Sequence, residues 1–143
     1  MKKFSLYIYY AIVALLVTSC MDHDVEYDIL DTADGTFITN MDIMDKDHKS
    51  VLASKVIPAT VIDENGVEQL KEPTDNPEII LTVKAEANLS ELFLTATLSS
   101  QSSYAKVSPV MGTLQDFTSA RQYTVTSQSG KKKLVYTVKV VKQ

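Results

Sequence analysis

The chain has 143 residues, a formal net charge of −4, and 45% hydrophobic and 22% charged residues, which suits one globular domain with short appendages. One cysteine excludes an internal disulfide framework and a multi-cysteine zinc site, and two widely separated histidines make a poor start for acid–base or Cys–His catalysis. The negative balance argues against nucleic acid, which needs a basic footprint.

At the N-terminus, Lys2 and Lys3 precede an uncharged apolar run from Leu6 to Val17. Twelve residues suit the apolar region of a secretory signal; a bilayer-spanning helix needs about 20. The run ends in Val17-Thr18-Ser19-Cys20, which resembles the lipobox of bacterial lipoproteins: an aliphatic residue, two small residues, then cysteine. The resemblance implies a signal peptide over 1–19, cleavage between Ser19 and Cys20, and acylation of Cys20 with chains such as palmitate. Each buried methylene contributes about 0.8 kcal/mol and single chains hold only marginally, so several chains on Cys20 would fix the protein to a membrane. Cleavage would remove two lysines and no acid, leaving a net charge of −6.

The following "MDHDVEYDILDTADG" is acidic and aperiodic, and predicts a flexible tether over 20–34. Met21 replaces the aspartate that signals inner-membrane retention in enterobacteria. An acidic stretch after the cysteine resembles the surface-export signal of Bacteroides-type lipoproteins, although a solvated linker explains the acids equally well. The expected location is the outer membrane, lipid-anchored, with the cell surface favoured over the periplasmic face. Asp31-Thr32-Ala33 matches the O-glycosylation motif of Bacteroides-type secreted proteins, which makes Thr32 a candidate glycan acceptor.

From Gly35 strand signals recur. "TFITNMDIM" suggests burial on both sides at its start, through Phe37 and Ile38. "SKVIPATVID" is β-rich, but Pro58 cannot donate to a ladder and predicts an edge strand or bulge. "ENG" at 64–66 is a hairpin turn. "EIILTVKAEA" and "FLTATLSS" read as strands, with "LSEL" between them as a single helical turn capped by Asn88 or Ser90. "YAKVSPVMG" is a short strand closed by Pro109 and Gly112. "QYTVTSQ" and "KLVYTVKVV" form a hairpin around "SGK", with Leu134, Tyr136, Val138 and Val140 on one face. Seven or eight short strands over 35–143, without sustained helical periodicity, predict an all-β, immunoglobulin-like antiparallel β-sandwich.

Ala105, Val107 to Pro109, Gly112, Gln115 to Thr118, Tyr123 to Thr126, Gly130 and Tyr136 to Val140 make up a recurrent pattern. It resembles the C-terminal half of an Ig-like module in Bacteroidetes lipoproteins of unknown function. In longer relatives this module precedes a larger domain associated with carbohydrate metabolism. The chain read here ends at Gln143, so that domain's activity is not carried over. Each pattern residue also has a structural role: Pro109 and Gly112 shape a turn, Asp116 caps the turn at Phe117, and Phe117, Tyr123 and Tyr136 fill the core.

Catalytic signatures and cofactor motifs are absent from the sequence, so no enzyme activity and no cofactor are expected. Asp42, Asp45, Asp47 and His48 cluster in "MDIMDKDHK" without the spacing of a calcium loop, and are read as a solvated acidic loop rather than a metal site. Lys131 to Lys133 would protect a sheet edge, with contact to an acidic glycan or lipid head group as the alternative. The expectation is a non-catalytic lipoprotein serving as a binding or spacer module, with a glycan or other surface lipoproteins as partners. Sugar sites need an exposed aromatic platform; with no Trp, Tyr104 in the polar "SSQSSYAK" loop is the candidate, unless it packs at the start of the strand that includes Val107. The alternative is a fimbria-like assembly subunit that pairs through an edge strand.

Overall fold

The computed structural model describes residues 31–143; the expected signal peptide, Ser19, Cys20 and the tether as far as residue 30 lie outside the described residues. Ten strands account for nearly all the regular structure: β1 Ile38–Met44, β2 Leu52–Val56, β3 Thr60–Ile62, β4 Glu68–Leu70, β5 Glu78–Val83, β6 Leu92–Leu98, β7 Lys106–Ser108, β8 Leu114–Gln115, β9 Arg121–Thr126 and β10 Lys133–Lys142. Single 3-10 turns occur at Asp31–Ala33 and Ser100–Ser102. A three-stranded sheet, β1-β6-β8, packs on a five-stranded one, β2-β5-β10-β9-β7, and β3-β4 forms a separate hairpin. This is the expected all-β, immunoglobulin-like sandwich. Its pairings are antiparallel except one: β5 runs parallel to β10 from Glu78↔Thr137 to Val83↔Lys142.

Strand alternation builds the core. Met41 and Ile43 of β1, and Leu92 and Leu94 of β6, face Ile79, Leu81, Val83, Tyr123, Val125, Tyr136 and Val138 of the larger sheet, all at most 1% exposed. Burying each such side chain contributes roughly 1.5–3 kcal/mol, as an upper bound for a realistic unfolded chain. The last strand has the expected polarity, with Tyr136 and Val138 buried, Leu134 and Val140 partly buried against them, and Lys139 outside on Glu78 at 2.5 Å. Phe117 is buried, and Asp116 Oδ1 accepts from the Thr118 amide and hydroxyl, as the turn reading required. Both hairpin tips turn on left-handed glycines, Gly66 at φ +78° and Gly130 at φ +75°. Pro58 lies in the gap between β2 and β3, and β2 is an edge strand.

One expectation holds locally and one needs correction. The segment 89–92 forms one turn rather than a helix: the Glu91 amide donates to Asn88 O (3.3 Å), Asn88 Oδ1 caps it by accepting from the Ser90 amide (3.2 Å), and β6 begins at Leu92 before a helix could propagate. The tether ends earlier than residue 34. Asp34 is 4% exposed, its Oδ1 accepting from the Ser129 amide (2.9 Å) and its Oδ2 from the Ser129 hydroxyl (2.6 Å). Such bonds offset the burial that an acidic, aperiodic segment was expected to avoid. Next to it, a β-carbon on Gly35 would sit 2.6 Å from Ser102 Oγ and 3.0 Å from the Gln101 carbonyl, so only glycine fits.

These contacts place the two ends of the domain at opposite poles. The chain enters beside the β9–β10 hairpin tip, through Asp34 and Ser129. It leaves at the far end of β10, where the Gln143 amide donates to Val83 O. Ten residues of β10 separate the poles, about 33 Å at strand rise.

Two stability predictions follow from this packing. Val138→Asp puts a carboxylate into the core and should cost at least about 4 kcal/mol, whereas Lys139→Asp loses one exposed pair and should cost about 1 kcal/mol or less. Equal melting shifts for the two would contradict the register. Asp34 is subject first to burial, which disfavours its charge. The bonds from Ser129, with Ser127 and Lys132 nearby, outweigh this and hold its carboxyl below the ordinary 3.8. A depressed folded pKa gives stability that is present above the unfolded value, about 3.9, and lost as pH falls through the folded one. Asp34→Ala should therefore lower the melting temperature at pH 7, and the gap from wild type should narrow as the pH drops below about 4.

Candidate functional site

The pole where the chain enters is assembled around the second 3-10 turn. Ser99 and Ser102 share a hydrogen bond (2.7 Å), and Ser102 Oγ accepts from the Phe37 amide (2.7 Å). Gln101 binds three ways: its carbonyl accepts from the Gly35 amide (2.8 Å), its Oε1 from the Glu68 amide (2.8 Å), and its Nε2 donates to Gly66 O (2.9 Å). A polar "SSQSS" run thus ties together the incoming chain, the β3–β4 hairpin and the top of β6. These bonds satisfy buried backbone groups that no ladder reaches.

Tyr104 projects from this scaffold. The Ser103 hydroxyl donates to Ser100 O and the Ala105 amide to Ser102 O, which closes the turn and leaves Tyr104 70% exposed. Tyr123 and Tyr136, by contrast, are fully buried. Burial raises the Tyr123 phenol and pushes Tyr136 up to about 12, so both stay protonated donors. Tyr123 donates to Gln115 Oε1 (2.5 Å) and Tyr136 to Thr36 O (3.3 Å). Of the three tyrosines, Tyr104 alone offers a free ring.

A groove of about 400 Å³ opens beside the same hairpin tip. Phe37, partly buried, forms its apolar wall, with Gln69, Asp75 and Lys133 as polar lining and Pro73 and Thr74 at one side. Pro73 and Thr74 also border a second groove of about 500 Å³, lined by Val56, Pro58, Ala59 and Pro77. Sequence reading separated these residues. Phe37 read as strand core and Lys133 as part of a solvated tip, and nothing in the sequence linked Gln69 or Asp75 to either. Only the fold brings three distant segments to one depression. In the β3–β4 hairpin, the buried Glu68 accepts from Thr60 through Oε1 (2.8 Å) while its Oε2 has no partner among the described residues.

The other sequence candidates fall elsewhere. Thr32 lies in the first 3-10 turn, partly buried beside Gly66. Asp45 Oδ1 accepts from the Asp47 and Lys49 amides, and Asp42 Oδ1 accepts from Ser50 Oγ. The Lys49 amide, acting first, and the Asp47 amide hold Asp45 below its ordinary pKa against some desolvation. His48 stacks on Phe93 with centroids 4.6 Å apart. The acidic loop is thus held by its own backbone bonds, and no cluster that could hold a metal ion occurs among the described residues. Cys20 and Ser19 lie outside the described residues.

No curated protein matches the chain. Among solved structures it is similar to a candidate glycoside hydrolase of Bacteroides thetaiotaomicron, at 32% identity and a TM-score of 0.43. That match covers 64% of this chain and 24% of the other, so the chain spans about a quarter of that protein's length. It is also similar to a candidate secreted protein of Bacteroides fragilis, at 18% identity and a TM-score of 0.45, covering 78% of this chain and 98% of the other. A protein-family model described as "SGBP, N-terminal" matches residues 57–140. The match takes in the whole segment from Ala105 to Val140 on which the sequence resemblance rested. With more than half of the chain covered, the protein belongs to this family, the N-terminal domains of starch- and glycan-binding proteins.

Proposed function

We propose that the protein is a non-catalytic, lipid-anchored module of the bacterial outer membrane, displayed at the cell surface, that serves as a spacer and offers a glycan contact of its own at the pole where the chain enters. The observation that carries this reading is the in-line geometry. A lipid on Cys20 would reach the domain at the Asp34–Ser129 pole, and Gln143 lies at the other. The far pole would stand about 33 Å, the length of β10, beyond the entry pole that bears Tyr104. Family membership supports the link to glycan binding.

The glycan contact rests on Tyr104. A sugar ring presents flat C–H faces, and an exposed phenol ring can cover one without losing hydrogen bonds. Assembly through edge strands fits less well. The exposed edge strand β2 has a register irregularity between Leu52 and Ser54 and carries Lys55, both of which discourage pairing with another chain.

Two experiments test the reading. Cys20→Ala should abolish labelling by a palmitate analogue and leave unprocessed precursor; undiminished labelling would remove the anchor. On a glycan array, the wild-type protein should bind at least one glycan, and Tyr104→Ala should lose most of that signal while melting normally. Wild-type silence across the array would leave a spacer role alone.

A further inference from the structure

We propose that the groove between Phe37 and Lys133 is a subsite for an anionic pyranoside, a sugar ring carrying a carboxylate or sulfate. This deepens the glycan-associated reading and rests on it. Sugar binding needs an apolar surface for the ring and polar groups of both kinds for its hydroxyls, and this groove has both. Phe37 supplies the apolar wall. Asp75, an exposed carboxylate, accepts only and can take two adjacent hydroxyls. Gln69 donates its amide to Asp63 Oδ2 (2.7 Å), which leaves its carbonyl oxygen as a further acceptor.

The choice of an anionic sugar comes from the lysines. Lys133 lines the groove with its ammonium in no ion pair; among the described residues the single ion pair is Lys139 with Glu78. Asp75 and Lys133 therefore share a depression without forming an ion pair. Lys131 and Lys132 stand exposed on the same tip, and no acid follows Asp116 in the sequence. Asp34, beside Lys132, balances one of these charges, and Lys131 and Lys133 stand on the tip outside any ion pair among the described residues. A carboxylate or sulfate on Lys133, with neighbouring hydroxyls on Asp75, uses each charge for the chemistry it suits.

The test uses the full-length processed protein and a panel of uronate-bearing and sulfated oligosaccharides, each beside its carboxyl-reduced or desulfated counterpart, with affinities measured by calorimetry. At least one anionic member should bind about tenfold more tightly than its neutral counterpart, the effect of one charge-assisted contact. Lys133→Gln should erase that preference, Asp75→Asn should weaken both members, and Lys142→Gln, at the opposite pole, should change neither. Both groove residues are exposed, so melting temperatures should hold. Equal affinities within every pair, or a preference that survives Lys133→Gln, would overturn the proposal. Binding of a neutral glycan that is lost in Tyr104→Ala and indifferent to Asp75→Asn and Lys133→Gln would overturn the groove and keep the glycan reading. Silence toward glycans of every kind would remove both.

Discussion

A phenol hydroxyl inside a hydrocarbon core must find partners or forfeit the gain from burying its ring, and Tyr136 finds them across the sandwich. Its oxygen donates to Thr36 O (3.3 Å) and accepts from the Ile38 amide (3.2 Å), so β10 of one sheet holds the start of β1 in the other. This one side chain joins residues about a hundred positions apart, and it fixes where the N-terminal segment must lie. Phe37 sits between the two bonded residues, and its amide is taken by Ser102. Two residues upstream, Gly35 passes so close to Gln101 and Ser102 that it cannot carry a side chain. Asp34 is then delivered to Ser129. The position of the groove, the entry point of the chain at Asp34 and the separation of the poles depend on this sequence of contacts.

Local pattern was enough to read most strands. Period-two alternation in "KLVYTVKVV" and "EIILTVK" marks which face is buried, because the hydrophobic effect acts on each strand whatever its neighbours. Turn residues at 64–66 and 129–131 have conformational needs of their own, so those hairpins were legible as well. The pairing between strands was not. β1 and β2 are consecutive, yet each joins a different sheet, β1 on β6 and β2 on β5. The parallel pairing of β5 with β10 likewise joins segments far apart in sequence, and no alternation encodes a partner.

Polar residues misled most. "SSQSS" looks like any solvated loop, yet Ser102 is 1% exposed and Gln101 spends its amide and carbonyl groups on three backbone partners. Asp34 closes a run of acids that reads as a tether, and composition alone cannot tell the one acid that meets a serine hydroxyl and amide from those that meet water. The same reason hid the groove. Phe37, Gln69, Asp75 and Lys133 have ordinary local roles, and their joint surface exists only once the sandwich brings their segments to one pole. Tyr104 was legible because its exposure follows from its immediate polar neighbours.

The arrangement also separates stability from recognition. Five residues of the family pattern, Phe117, Tyr123, Val125, Tyr136 and Val138, are buried, and their substitution would act through the fold. Tyr104, Asp75 and the lysine tip are exposed at the pole where the chain enters, and none of them contributes a side chain to the core. Changes at that pole can alter what the surface touches without moving the sandwich beneath it. A fold of this kind can be kept while its contacts differ from one chain to the next. Family membership therefore constrains the scaffold closely and the ligand only by class, and the ligand must be argued from the chemistry that this particular pole presents.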